Sequence, residues 1–297
     1  MNNQKSTEKK LIEKILAEKI KVKRGSLLPA VKEALKKRNK ILQLTKKYPT
    51  PFYAFDQKAL QKAIDSFKSA FDKSLYPYQA FYALKSNPHP YVVKTVLKNG
   101  FGLDVSSGRE LEIALACQGK KIIFSGPAKT EAELNLALNH AKKVTIHLDS
   151  FTELKRLGNL AKKRKIKINV GVRIFTQHHN NWAIKFGIPL TDLSKFYKQV
   201  KKYPNLNFQG IQCHKSLNES ALPYQKMIQD IGCYLKNNFS KSDLQNFKFV
   251  DIGGGYLPYR IDGYYPWDTP QGQITKIVND YFCKKNNFKD RYYPYES

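Results

Sequence analysis

The sequence predicts an α/β protein whose parallel strands wind into a (β/α)8 TIM-like barrel. Two observations carry this. From residue 52 onward, short β-rich apolar runs alternate with longer amphipathic stretches, and the alternation holds almost to the last residue. Strands separated by helical crossovers must run parallel, and this many units favours closure into a barrel over an open doubly wound sheet, which is the alternative.

The apolar runs are 52–55, 78–84, 102–105, 122–124, 144–148, 166–174, 208–213 and 247–252, with a ninth at 291–295. Between them lie stretches of helical periodicity at 57–71, 88–98, 108–118, 130–140, 151–163, 191–202, 222–236 and 269–283. The run at 52–55 is expected as a first strand outside the barrel. Residues 1–48 read as a basic helical N-terminal extension: Leu11, Ile12, Ile15, Leu16 and Ile20 fall near helical spacing among Lys and Glu. The remainder, 49–297, is expected to form one barrel domain, a length that a single barrel accommodates.

Lys and Arg number 52 against 24 Asp and Glu, a net charge of +28. Such a balance suits nucleic acid, an anionic surface or a phosphorylated ligand. The lysines are dispersed along the whole sequence and accompany no DNA- or RNA-binding motif. They therefore read first as a solvated surface, and a nucleic-acid partner is not expected. Cys117, Cys213, Cys233 and Cys283 have neither Cys-x-x-Cys nor zinc-ligand spacing, so no metal is expected and the thiols are expected free. No apolar run is long enough to span a membrane, and no signal-peptide block opens the chain, so a cytoplasmic location is the expectation.

In parallel barrels, chemistry gathers at the C-terminal ends of strands. Lys85 follows Tyr82-Ala83-Leu84, Asp104 lies in Leu103-Asp104-Val105, and Arg173 lies in the run that ends at Ile174. His214 follows Cys213, Gly253-Gly254-Gly255 follows Ile252, and Glu296 follows Tyr295. An amine, carboxylates, a guanidinium, an imidazole and a glycine turn open to phosphate suit an aldehyde cofactor carrying a phosphate. Pyridoxal 5'-phosphate needs these groups. An amine that attacks an aldehyde must shed its proton, which burial of Lys85 would favour. Asp149 reads as the N-cap of the helix that follows it.

Residues 81–87, FYALKSN, resemble the YALKAN motif of the pyridoxal-phosphate-dependent diaminopimelate, ornithine, lysine and arginine decarboxylases with the alanine-racemase-type barrel. TPFYAFD at 50–56, GFGLDVSSGRE at 100–110, FSGPAKTEAEL at 124–134, HLDSFTEL at 147–154, VGVRI at 170–174, KFGI at 185–188 and FVDIGGGY at 249–256 are similar to that family in the same order. The resemblance implies roles. Lys85 is the Schiff-base lysine and Gly253, Gly254 and Gly255 are the phosphate-cradling turn. His214 stacks on the cofactor ring, and Asp104 and Arg173 tune the network around it, unless those two form a buried structural pair. It further implies a basic amino acid as substrate and a homodimer in the full-length family.

Two departures stand out. Where the family reads His-Val-Gly-Ser, this chain reads His214-Lys215-Ser216-Leu217-Asn218-Glu219, nearer the carboxynorspermidine decarboxylase branch. Leu217 has no donor for phosphate, so either Ser216 substitutes or that contact is missing. The chain also stops at Pro294-Tyr295-Glu296-Ser297, before the family's C-terminal β-domain; Glu296 stands where the eighth barrel strand would end, the place of the ring-nitrogen carboxylate, but without the Pro-Gly-Arg that follows it in the family. A decarboxylase of diaminopimelate, ornithine, arginine or carboxynorspermidine is therefore expected. The alternatives are a catalytically impaired pyridoxal-phosphate-binding or regulatory paralogue and a basic nucleic-acid-binding protein.

Overall fold

Three times among the described residues a Ser or Thr precedes a Glu by three positions, the spacing at which a helix N-terminus caps itself. The structure is a computed structural model and describes residues 2–17, 29–75, 77–177, 185–215, 222–255, 274 and 277. There, Ser107 caps α6 (Gly108–Ala116), Thr130 caps α7 (Glu131–Asn139) in a full capping box, and Ser150 caps α8 (Phe151–Arg164). The α6 and α8 glutamates reach one residue further back. Glu110 accepts from the Ser106 N–H and Glu153 from the Asp149 N–H, each at 2.8 Å. The cap before α8 is thus Ser150 and not Asp149. The serine hydroxyl meets the Glu153 N–H at 3.2 Å, leaving the Asp149 carboxyl to turn elsewhere.

These helices alternate with eight strands: β1 (Phe81–Ala83), β2 (Gly102–Val105), β3 (Ile122–Phe124), β4 (Val144–Leu148), β5 (Ile168–Phe175), β6 (Ile188–Pro189), β7 (Leu206–Cys213) and β8 (Phe249–Asp251). All pair in parallel, in the order β1-β2-β3-β4-β5-β7-β8, with β6 on the end of β5. Between β5 and β7 the register shifts after Val170, whose partner is Phe208, because Gly171 pairs with Gly210. The intervening helices are α4 (Gln57–Ser74), α5 (Pro90–Lys98), α6, α7, α8, α9 (Leu193–Val200), α10 (Leu222–Asn238) and α11 (Lys241–Leu244). A compact unit spans Lys58–Pro258, and α1 (Asn2–Ala17), α2 (Pro29–Lys36) and α3 (Arg38–Lys47) belong to another.

The architecture is that of the TIM-like barrel, a curled parallel sheet with helices on its outer face. Among the described residues the sheet ends at β1 and β8, and the run at 291–295 lies outside them. The run at 52–55 forms no strand among the described residues, and Tyr53 there is fully exposed. Strand residues alternate. Leu103, Val105, Ile122, Phe124, Ile146, Leu148, Val170 and Val172 face the helices and are buried against Leu111, Leu134, Leu154 and Phe196. Each such side chain contributes about 1.5–3 kcal/mol. Cys117, Cys213 and Cys233 are free thiols, and Cys283 lies outside the described residues. No described helix is long and apolar enough to cross a membrane.

One ion pair is buried in this core. Lys129 and Glu153 are each about 1% exposed. The Lys129 ammonium donates to the His147 carbonyl at 2.7 Å and lies 3.3–3.4 Å from both Glu153 oxygens. Burial pulls the Lys129 pKa down, and Glu153 opposes that shift. Removing one partner strands the other charge, so Lys129→Met is expected to lose about 3–5 kcal/mol in urea unfolding. Lys129→Met combined with Glu153→Gln leaves no buried net charge and is expected to lose less. Equal losses in the two proteins would contradict the pairing.

Candidate functional site

Residues paired across a ladder project to the same face. On the inner face, Arg173 of β5 stands beside Gln212 of β7, and Gln212 beside Asp251 of β8. Asp149 follows the Leu148–Val172 pair of β4 and β5, which puts it next to Arg173. The four make one polar row at the strands' C-terminal ends. Below it, His147, Gly171, Gly210 and Phe249 form the next row. A Cβ on Gly171 would meet the His147 and Phe249 rings at 3.0 Å, so glycine is what admits both rings. On the far side, Asp104 of β2 pairs with Ala83 of β1, and Lys85 sits two residues beyond Ala83 in the 3-10 turn Leu84–Ser86.

The glycine turn is built from three sides. The Gly253 N–H donates to Asp251 Oδ1 at 2.7 Å, and the Gly254 N–H to His214 Nδ1 at 3.3 Å. The Tyr224 hydroxyl, on α10, donates to the Gly254 carbonyl at 2.8 Å. Gly253 and Gly255 have φ of 68° and 82°, where a side chain is strained, and a Cβ on Gly253 would lie 2.6 Å from His214 Nδ1. A Cβ on Gly254 would meet nothing within 4 Å among the described residues, so a ligand can approach the turn there without meeting a side chain.

Three carboxyls surround one guanidinium. Burial raises the Asp104 pKa to about 7, although its Oδ1 accepts from Ser125 Oγ at 2.6 Å and the Lys85 charge opposes the shift. Burial raises Asp251 to about 6 against the Gly253 N–H and the Arg173 charge, and it raises Asp149 against Arg173. Arg173 is capped by the Phe186 ring, 5.1 Å away, in the segment that turns back through Gly187 into β6. A Cβ on Gly187 would collide with the Arg173 carbonyl at 2.7 Å. His147 Nδ1 lies 3.6 Å from Asp251 Oδ2, but burial lowers the imidazole pKa to about 3. Above that pH the ring is neutral and the contact is no ion pair. Neither ring nitrogen has a hydrogen-bond partner.

The structure therefore brings Asp104 and Arg173 to one mouth, each within electrostatic reach of Asp251, whose backbone leads straight into the Gly253–Gly255 turn and His214. Asp104 bonds Ser125, and of the carboxyls whose charge acts on Arg173 Asp149 is the strongest and Asp104 the next. Lys85 lies close enough for its charge to act on Asp104, and it is exposed where burial was expected. Ser216 and Glu296 lie outside the described residues. Asp251, Asp149, Ser125, Tyr224 and Phe186 complete the site without having been singled out for it. Asp251 looked like part of an apolar run, and only its strand-end position next to the glycines could have marked it.

Residues 58–289 match the family model described as pyridoxal-dependent decarboxylase, pyridoxal binding domain. The diaminopimelate decarboxylase of Vibrio cholerae serotype O1 is 31% identical over 229 residues, covering 72% of this chain and 53% of that protein. The crystal structure of AQ1208 from Aquifex aeolicus aligns with a TM-score of 0.63 at 25% identity, over 81% of this chain and 57% of the other. Diaminopimelate decarboxylase from M. jannaschii, solved in co-complex with L-lysine, aligns with a TM-score of 0.62 at 22% identity, over 86% and 62%. The chain spans about half the length of the curated relatives it matches.

The raised carboxyls fix a pH dependence. An unfolded Asp releases its proton near pH 4, whereas Asp104 and Asp251 hold theirs to about 7 and 6 in the folded chain. The native state then binds more protons than the unfolded state across that window, so stability falls as pH rises from about 4 to 7. Asp104→Asn removes one such group and is expected to flatten the plot of unfolding free energy against pH there. An unaltered slope would mean that Asp104 is already ionised at pH 5.

Proposed function

The chain belongs to the pyridoxal-dependent decarboxylase family, and on that premise we propose that it binds pyridoxal phosphate at this mouth and releases the carboxylate of a basic amino acid. Diaminopimelate leads ornithine, arginine and carboxynorspermidine as substrate, because the 31% identical Vibrio cholerae relative is a diaminopimelate decarboxylase. The observation that carries the reading is the convergence of Lys85, Asp104 and the His214-braced glycine turn on one strand-end face.

When bound, the cofactor supplies an aldehyde that joins an amine and a ring that accepts the electrons left as a carboxylate departs. Lys85 would hold its aldehyde and Gly253–Gly255 its phosphate, with His214 against the ring. The fit rests on the open face of Gly254 and the left-handed backbone on either side of it. Asp104, anchored at Oδ1 by Ser125, exchanges a proton near neutrality beside Lys85, so it takes the proton that amine must lose. Arg173, pinned under Phe186 and flanked by Asp149, keeps one positive charge fixed among the carboxyls. The surplus of carboxyls over guanidinium favours a substrate with a cationic side chain.

Incubating the purified chain with pyridoxal phosphate is expected to give a visible absorbance band that Lys85→Ala abolishes. A band unchanged in that variant removes Lys85 from the role. His214→Ala, which deletes a stacked ring worth about 1 kcal/mol, is expected to weaken cofactor affinity about fivefold. Carbon dioxide release from the four amino acids then separates a decarboxylase from a protein that only binds the cofactor.

A further inference from the structure

The lysines dispersed through the sequence are not dispersed in space. Because every strand is parallel, every connection from a helix into a strand lies at the end opposite the glycine turn. Lys120 and Lys121 precede β3, Lys142 and Lys143 precede β4, and Lys165 and Lys167 precede β5. Lys201 and Lys202 lead towards β7 and Lys248 into β8. All of them are exposed. The connections at 99–101, 117–121, 140–143, 165–167, 201–205 and 245–248 contain no Asp or Glu. Among the described residues, Lys201 alone of these lysines forms an ion pair, with Asp243 at 2.6 Å, and Lys121 donates to Gln79.

Neighbouring strands are about 4.8 Å apart, and the six strands from β2 to β8 that share this end span about 24 Å along the sheet. The screening length in physiological salt is about 8 Å, so charges on adjacent connections add. The opposite end is different: Asp104, Asp149 and Asp251 offset its cations. A merely lysine-rich composition does not separate charge in this way.

We infer that this strand-start end binds the phosphodiester backbone of nucleic acid without regard to sequence. The cations are ammonium groups, which act as point charges on phosphate and lack the planar fork that reads base edges. No large apolar side chain is exposed on these six connections, and Phe101, Tyr203 and Phe247 pack into the core. These six connections therefore have neither a platform on which bases stack nor a wedge to enter a bilayer, Leu75 on the connection into β1 being a single exposed side chain, and binding to the backbone is what their chemistry fits. This inference is independent of the cofactor site.

The test uses the full chain, fluorescein-labelled duplex DNA and an RNA of the same sequence, with anisotropy read between about 50 and 200 mM salt. Binding to both is expected. Lys142→Glu, Lys143→Glu and Lys165→Glu together are expected to weaken it at least about tenfold and to lower the log–log salt slope by about 3, one for each ammonium–phosphate pair removed. The same three positions as Gln are expected to lower the slope similarly with a smaller loss of affinity, which keeps the test readable if the Glu protein does not fold. A matched control, Lys94→Glu, Lys155→Glu and Lys226→Glu, changes net charge equally on helix positions away from these connections and is expected to stay within about twofold of wild type. The inference is overturned if the control weakens binding as much, if wild type binds neither nucleic acid, or if it binds phosphatidylserine vesicles and not nucleic acid.

Discussion

Parallel pairing is the constraint on which the rest of this molecule depends. Once β1 to β8 share one direction, each crossover helix must return the chain to the same edge, so strand ends and strand starts become two different surfaces. The strand ends then have backbone groups and short loops to offer, which is where a small ligand is held. Local sequence reinforces the arrangement at each corner. Ser107, Thr130 and Ser150 start the returning helices within a few residues of the strand ends, so the loops between them stay short and their side chains stay in place.

The buried Lys129–Glu153 pair joins two of those corners. Lys129 belongs to the connection after β3 and Glu153 to the first turn after β4, and Glu153 takes the Asp149 N–H as well. The backbone of Asp149 is thereby fixed from below while the charge of its carboxyl acts on Arg173. Arg173 is in turn covered by Phe186, which the small strand β6 holds against the end of β5. The charges at the mouth are thus arranged by neighbours that never reach it. His147, kept neutral beneath, adds a polar ring to the barrel floor without adding a charge.

Much of this was legible in the sequence, because alternation of apolar runs and amphipathic stretches is a property of neighbouring residues. Seven of the eight expected strands before residue 256 form, and the strand-end rule led directly to Lys85, Asp104, Arg173, His214 and the three glycines. What could not be read depends on residues distant in the chain. The run at 52–55 has strand composition but forms no strand among the described residues. Two-residue β6 is too short to leave a periodic signal. Asp149 has an N-cap's composition, yet the hydroxyl of Ser150 takes the cap, and the Asp149 carboxyl lies within electrostatic reach of Arg173. Asp251 hides among apolar neighbours because on a strand only its facing, and not its local pattern, distinguishes lining from core. Lysine clustering is likewise invisible along the sequence, since Lys121 and Lys143 come onto adjacent connections only through the winding of the sheet.

The register shift after Val170 carries a consequence of its own. β7 contributes one residue more than β5 at that point, since Gln209 lies between the partners of Val170 and Gly171. In an unbroken ladder Arg173 would face Ile211, and the imidazole of His214 would point to the helices instead of the glycine turn. A single codon at position 209 therefore sets which half of β7 lines the ligand's side of the wall. Loss of that codon would leave the hydrophobic content of the strand unchanged while exchanging its wet and dry surfaces, so this short stretch of the chain tolerates altered side chains far better than altered length.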